Sequence, residues 1–314
     1  MRMEDLDAGR AKPESVQQAY DDLCWLGMDW DAFVPAQGLA GEVADEEIEA
    51  GVVVQSRRVM RYERVLAMLW QRDAIYPCTC SRAEIAAAVA ASVNAPHEGE
   101  YNVRYPGTCA AREWRGAKQS VVETTALVQR ETGRNVCWRL RVPPGVITFD
   151  DLIAGRQQFD VGTDVGDIPV TRFSQDGTLP PAYQLACVTD DHAMGIDMII
   201  RGDDLLSSTP RQMLIYRALN WPVPRFAHVP LVIGADGKRL AKRHGESRIA
   251  EFRAQGITPE SIVGWAAWRS GQLDVPRTIA AKDITALFRL DALTRERIVI
   301  GHDDLTWHSS LCNP

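Results

Sequence analysis

The sequence predicts an α/β protein that closes in a small helical part, and three observations carry this. Residues 136–142 alternate strictly, with Val136, Trp138, Leu140 and Val142 on one face and Arg139 and Arg141 on the other, which predicts a half-buried strand. Residues 196–200 form an apolar strand that ends at Arg201-Gly202-Asp203-Asp204 and is followed by a helix opening at Thr209-Pro210. From Gly256 onward the pattern is helical, with Ile262, Trp265, Ala266 and Trp268 suggesting a terminal bundle.

Taken in order, residues 1–7 read as the end of a strand entering a turn. Pro13 opens a helix whose apolar positions Val16, Tyr20, Leu23 and Leu26 recur at helical spacing, with Gly27 just past its end. Residues 31–51 lose the pattern and carry Asp45, Glu46, Glu47 and Glu49, which predicts an acidic surface loop. Residues 57–70 form a second amphipathic helix with Val59, Tyr62, Leu66 and Leu69 on one stripe, and an Ala-rich helix begins near Arg82. Segments 170–174 and 183–188 flank Gln175-Asp176-Gly177 and predict further β structure around a turn. Before the next helix, Thr209 is the candidate N-cap, Pro210 takes the first helical position and Gln212 stands three residues after the cap.

Composition excludes several classes. The chain has 314 residues, 46% hydrophobic and 25% charged, enough to bury a core without disulfides. Its longest apolar run, residues 85–93, is mostly alanine and far short of the roughly 20 residues of a membrane span. Glu4, Asp5 and Asp7 are foreign to a signal peptide, so a cytoplasmic protein is expected. A net charge of −7 rules out a chain-wide basic footprint, although residues 238–248 hold five basic side chains against one glutamate. The seven cysteines (24, 78, 80, 109, 137, 187 and 312) are odd in number and do not form a disulfide framework.

Three local patterns carry chemistry. Cys78-Thr79-Cys80 is followed, after 24 residues, by Tyr105-Pro106-Gly107-Thr108-Cys109, and three thiolates with a phenolate oxygen suit a tetrahedral zinc ion. On spacing alone, three unpaired thiols beside an unrelated tyrosine fit equally well, and His97 inside that loop reads as solvated. Asp236-Gly237-Lys238-Arg239-Leu240-Ala241-Lys242-Arg243-His244-Gly245 interleaves cations with small residues and can fold over a polyphosphate, although by itself it reads more simply as a solvated basic turn. Arg201 stands at a strand's carboxyl end, where ligands bind in open α/β folds, and can pair bidentately with a carboxylate. Tyr183 and the acid pair Asp190-Asp191 precede it, and His192 reads as a hydrogen-bonded structural histidine more readily than as a base.

In order, these pieces resemble the catalytic half of the glutamyl-tRNA synthetase family, to about residue 270. The matching stretches are Arg2-Met3-Glu4-Asp5-Leu6-Asp7, Trp30-Asp31, Gln55-Ser56-Arg57, Tyr76-Pro77-Cys78-Thr79-Cys80 and Thr148-Phe149-Asp150-Asp151. They continue through Asp190-Asp191-His192, Ile200-Arg201-Gly202-Asp203-Asp204-Leu205, Thr209-Pro210-Arg211-Gln212 and the loop at 236–245. Only 70 residues follow His244, too few for the anticodon-binding region of the full-length enzymes, so the chain looks like the short branch. Members of that branch activate glutamate with ATP and transfer it to the queuosine base of tRNA(Asp).

The resemblance implies a Rossmann-like class I catalytic domain formed by 1–77 and 181–245, interrupted by a zinc-bearing insertion at 78–180 and followed by a helical part at 246–314. Glu4 would bind the glutamate ammonium group, with Tyr183 and Arg201 completing the pocket and Arg201 taking a carboxylate. Lys242 would contact ATP, with its Mg2+, in the signature loop Arg239-Leu240-Ala241-Lys242-Arg243. Cys78, Cys80, Tyr105 and Cys109 would hold a structural Zn2+. The implied partners are glutamate, ATP and queuosine-bearing tRNA(Asp), met by a cytoplasmic monomer with no membrane contact.

Two departures stand out. Ala241 replaces a serine of the signature loop, losing one phosphate hydrogen bond of roughly 1 kcal/mol. The family's opening strand with its Arg-Phe-Ala-Pro-Ser-Pro-type run and His-x-Gly-His-type signature has no counterpart, so the sequence is expected to continue upstream of Met1. A non-catalytic tRNA-binding remnant and the catalytic half of an ordinary glutamyl-tRNA synthetase are the alternatives.

Overall fold

Two β-α-β crossovers set the frame. The computed structural model describes residues 1–6, 13–30, 48–49, 52–90, 104–112, 114, 119–174, 177–234, 236–237 and 249–300. Strand β1 (Arg2–Met3) leads to helix α1 (Pro13–Trp25), and Gly27 beyond it takes φ +73°. Strands β2 (Ile48–Glu49) and β3 (Val52–Val54) follow, then a 3₁₀ turn at Gln55–Arg58 and helix α2 (Val59–Gln71). Next come β4 (Ile75–Cys78), α3 (Arg82–Ala90), α4 (Val121–Thr132), β5 (Cys137–Leu140), the hairpin β6 (Val146–Asp151) and β7 (Gly155–Asp160), and β8 (Ile168–Pro169). Helix α5 (Tyr183–Ala193), β9 (Met198–Gly202), a 3₁₀ segment at Asp203–Ser208, α6 (Thr209–Leu219), β10 (Arg225–Val229) and β11 (Val232–Gly234) continue the chain. Helices α7 (Ile249–Ala254), α8 (Pro259–Arg269) and α9 (Ala281–Thr285) and strand β12 (Ile298–Ile300) complete the described part.

Strand β1 pairs parallel with β3, and β9 with β10 through the α6 crossover, as parallel neighbours require. Strands β4, β5 and β8 form an antiparallel sheet in the order β4-β5-β8, and β6 and β7 form a separate hairpin. Strand β12 pairs parallel with β11, so the C-terminal part is not purely helical. Helices α2, α5 and α6 pack on one another, and Leu66, Leu69, Leu185 and Ile215 are fully buried between them. Each such side chain contributes roughly 1.5–3 kcal/mol of burial free energy. No helix among the described residues is long and apolar enough to cross a membrane.

Several expectations need correction. Val59 is 38% exposed while Tyr62, Leu66 and Leu69 are buried, because Val59 sits where the 3₁₀ turn passes into α2, before the buried stripe begins. Residues 183–188 form helix, not strand. Helix α5 is buried on most of its faces, so its apolar residues show no amphipathic period. Strand β5 is buried on both faces: Arg139, expected in solvent, is 6% exposed and lies over the Tyr105 ring at 3.9 Å. Glu49, expected in a loop, lies in β2; most of the acidic stretch at 36–50, with His97 and Gln175-Asp176, falls outside the described residues. Periodicity does not mark α4, although Ser120 and Glu123 form a complete capping box at its start and Gly133, at φ +64°, ends it.

Helix α8 buries Ser261, Gly264 and Ala267 rather than its tryptophans. A Cβ on Gly264 would lie 1.8 Å from the Arg277 carbonyl oxygen. Gly264→Ala therefore lowers stability by about 1–3 kcal/mol despite the higher helix propensity of alanine, because backbone must move. A lower urea midpoint at an unchanged m-value checks this.

Candidate functional site

Strands β9 and β10 place Arg201 directly opposite His228. The Arg201 guanidinium donates from Nε to His228 Nε2 at 3.1 Å, from Nη1 to Gln212 Oε1 at 2.7 Å and from Nη2 to Thr209 Oγ1 at 2.8 Å. The expected capping role of Thr209 and Gln212 is thereby corrected. Ser208 occupies the cap position without a side-chain bond, and the Thr209 and Gln212 side chains, at the first turn of α6, turn across to Arg201.

His228 is itself held from behind. Its Nδ1 lies 2.6 Å from Asp151 Oδ2, and Asp151 Oδ1 accepts the backbone N–H groups of His228, Ile153 and Ala154 at 2.8–3.0 Å. Burial tends to raise the Asp151 pKa, but these hydrogen bonds, led by that from His228, outweigh it and hold the carboxyl below its usual range. Burial lowers the His228 pKa, assisted by Arg201 and opposed by Asp151. The stability contributed by neutral His228 is therefore complete above the ordinary imidazole pKa of about 6.5 and is lost as pH falls through the lower folded value.

Glu4 and Tyr183 share one neighbourhood. Glu4 Oε1 accepts from Arg2 Nη2 at 2.8 Å and faces the Cys187 thiol at 3.7 Å. Tyr183 and Cys187 are one turn apart on α5. Burial raises the Tyr183 pKa, the Cys187 and Glu4 charges raise it further, and Arg201 opposes them. Arg2 also donates to Asp191 Oδ1 at 2.5 Å, which fastens β1 to α5.

The acidic motif divides its labour. Asp190 is fully buried and accepts from Arg58 Nε at 2.7 Å, Gln55 Nε2 at 2.7 Å and the Tyr62 hydroxyl at 2.9 Å. His192 stacks on Trp221, with the ring centroids 3.9 Å apart and the planes at 11°. Asp5 caps the 3₁₀ turn at Gln55–Arg58, accepting from Ser56 N at 2.8 Å and Ser56 Oγ at 2.6 Å.

The thiols come together as the spacing suggested. The Sγ atoms of Cys78, Cys80 and Cys109 all lie within 4.8 Å of one another and are buried. The Tyr105 hydroxyl lies 3.4 Å from Cys78 Sγ and 3.5 Å from Cys80 Sγ, and accepts the Cys109 N–H at 2.8 Å. The donor set, three thiols and a phenol turned inward onto one point, fits a four-coordinate soft cation. The Cys109 thiol is pushed up to about 12, first by its hydrogen bond with Cys78 and then by burial. Cys137, the strand partner of Cys78, adds a buried neighbouring thiol that the spacing did not single out.

The signature loop residues Arg239, Leu240, Ala241, Lys242 and Arg243 lie outside the described residues. Sequence reasoning also missed His228, which reads as a core histidine in an apolar strand, and the use of Asp151.

Residues 1–307 match the family model described as tRNA synthetases class I (E and Q), catalytic domain. A Glutamyl-Q tRNA(Asp) synthetase of Symbiobacterium thermophilum is 41% identical over 302 residues, covering 96% of this chain and 84% of that one. Its namesake in Nitratidesulfovibrio vulgaris is 40% identical over 307 residues, covering 97% and 86%. The crystal structure of a glutamate tRNA ligase from Elizabethkingia meningosepticum in complex with its amino acid superimposes with a TM-score of 0.72 at 23% identity, a likeness of fold. This chain is 99% covered in that comparison and spans 62% of the ligase.

Proposed function

The chain belongs to the class I tRNA synthetases of the E and Q kind, matched in their catalytic domain, and from this premise we propose that it activates glutamate with ATP and transfers it to the queuosine base of tRNA(Asp). The observation that carries this reading is the 41% identity along 96% of the chain to a relative named for that reaction. In the same reading the catalytic domain comprises 1–77 and 181–245, interrupted by an insertion at 78–180 and followed by a C-terminal part at 246–314, in a cytoplasmic monomer.

In this reading each site residue has a part in the chemistry. Glu4 takes the glutamate ammonium group and Arg201 a carboxylate, with the Tyr183 hydroxyl completing the pocket. The glutamate carboxylate oxygen attacks the α-phosphorus of ATP, which arrives with Mg2+, and pyrophosphate leaves. Lys242 and its basic neighbours offset the charge that builds on the departing pyrophosphate. A nucleophilic group of the queuosine base then attacks the activated carbonyl carbon and releases AMP. Cys78, Cys80, Tyr105 and Cys109 would hold a Zn2+, which would serve as a structural anchor.

Two measurements test the reading. Glutamate-dependent ATP–pyrophosphate exchange without tRNA, followed by labelling of queuosine-containing tRNA(Asp) but not of its queuosine-free form, is expected. Charging of the 3′ end of tRNA(Glu) would instead mark the catalytic half of an ordinary glutamyl-tRNA synthetase, and salt-sensitive tRNA binding with no exchange a non-catalytic remnant. Purified protein is expected to carry about one zinc per chain, and Cys80→Ser to lose most of it with a lowered melting temperature. Metal-free protein of undiminished stability would remove the metal from the site.

A further inference from the structure

The partners of Arg201 share a property that its own substrate role does not explain. An arginine side chain carries five N–H donors and no acceptor. Three are engaged, by His228 Nε2, Gln212 Oε1 and Thr209 Oγ1. Among the described residues, one N–H remains unengaged on each terminal nitrogen, which matches the two oxygens of a carboxylate. All three engaged partners are neutral, so none cancels the guanidinium charge. The nearest carboxylate in the chain of contacts, Asp151, stands one residue removed, behind His228.

The tautomer of His228 follows from its neighbours. Arg201 Nε can only donate, so His228 Nε2 must be the bare, accepting nitrogen. Asp151 below its usual pKa is an acceptor, so Nδ1 carries the proton and donates to Oδ2. Thr209 Oγ1 lies 3.2 Å from the same Nε2. Asp151 is held in turn by three backbone N–H groups, and Leu152 N–H donates to Phe226 O at 2.9 Å, so the β6–β7 hairpin is docked on β10.

We propose that Asp151 and His228 are positioning residues for carboxylate binding: Asp151 fixes the Nδ1–H tautomer of His228, whose bare Nε2 orients the Arg201 guanidinium, so that glutamate is bound only while His228 is neutral. This rests on the glutamate reading above. A proton on Nε2 removes the acceptor of Arg201 Nε–H and sets an imidazolium against a guanidinium. The groups facing His228 are Asp151 from β6, Arg201 from β9, Asp203 from the 3₁₀ segment, and neutral Thr209 from α6, which also carries Gln212. Asp151 and Asp203 favour the proton; burial and Arg201 oppose it, and the net direction keeps His228 neutral.

The test is calorimetric titration of L-glutamate into the full chain between about pH 5 and 8, the window in which imidazoles titrate. Wild-type affinity is expected to fall as pH falls. His228→Gln places an amide oxygen where Nε2 accepts and does not titrate, so its affinity stays flat across the window. His228→Asn keeps a donor to Asp151 but loses the acceptor for Arg201, and binds about 10- to 100-fold more weakly at every pH. Asp151→Asn turns an N–H toward Nδ1, forces the other tautomer and weakens glutamate binding to a similar degree, with the KM for ATP unchanged. Nitrogen-15 spectra of the histidine ring read the tautomer directly, even where a variant folds poorly.

A proton on Nε2 in those spectra overturns the proposal, as does a His228→Gln variant with the wild-type pH profile. Wild-type protein that binds no glutamate at any pH overturns the functional reading itself, whereas wild-type binding with unaltered variants overturns only the roles of Asp151 and His228.

Discussion

Asp190→Ala is expected to lower the unfolding free energy by about 3–5 kcal/mol, a large share of the stability of any single domain. The carboxylate and the Arg58 guanidinium facing it at 2.7 Å are both 0% exposed. Gln55 and Tyr62 donate to the same carboxylate. Removing it takes the acceptor from the buried Arg58 Nε and from two further buried donors at once, and none of them gains water in exchange. The double variant Asp190→Leu with Arg58→Met removes both charges and is expected to recover much of the loss. Urea unfolding of the two variants beside the wild type decides the point. A loss below about 1 kcal/mol for Asp190→Ala would mean that the guanidinium reaches solvent when released.

This ion pair also bears on the site. Gln55, Arg58 and Tyr62 lie in the 3₁₀ turn and the first turn of α2, and Asp5 caps that turn through Ser56. Glu4 is the preceding residue. Anchoring the turn to α5 through Asp190 thus sets where Glu4 stands relative to Tyr183, which opens the same helix. Loss of Asp190 is expected to raise the KM for glutamate as well as to destabilise the chain.

What was legible in the sequence depended on whether chemistry was local. The thiol cluster was readable because Cys78 and Cys80 leave one strand together and Tyr105 and Cys109 sit in one tight turn. Helix α5 was misread because burial on most of its faces erases the period that distinguishes helix from strand. Thr209 and Gln212 have the spacing of a cap, and nothing local tells whether such side chains fold back on their own helix or reach a partner eight and eleven residues earlier. The Asp151–His228 contact spans 77 residues and the His228–Arg201 contact 27, and both depend on strand register that only the folded sheet defines. The proposed glutamate-binding residues are named by resemblance. The shell that holds them was not legible.

Arg201→Lys, a change that preserves charge, is expected to lower kcat/KM for glutamate in the exchange reaction about 100-fold or more. A lysine ammonium is one point with three donors, and it cannot reach His228, Gln212 and Thr209 on separate sides while presenting two parallel N–H groups to a carboxylate. Leaving buried His228 Nε2 without its donor costs about 1–3 kcal/mol, and exchanging a bidentate for a single charged hydrogen bond adds about 1.5 kcal/mol. At about 1.4 kcal/mol per tenfold, these together give two to three orders of magnitude. The KM for ATP is expected to stay within about twofold, because the phosphate-facing role is the one proposed for Lys242 and not for Arg201. Near-normal glutamate kinetics in a folded Arg201→Lys protein would reduce Arg201 to a cross-link among β9, β10 and α6. Its three neutral partners argue against that: a residue placed only to cross-link gains more from a carboxylate partner than from three neutral acceptors that leave its charge uncancelled.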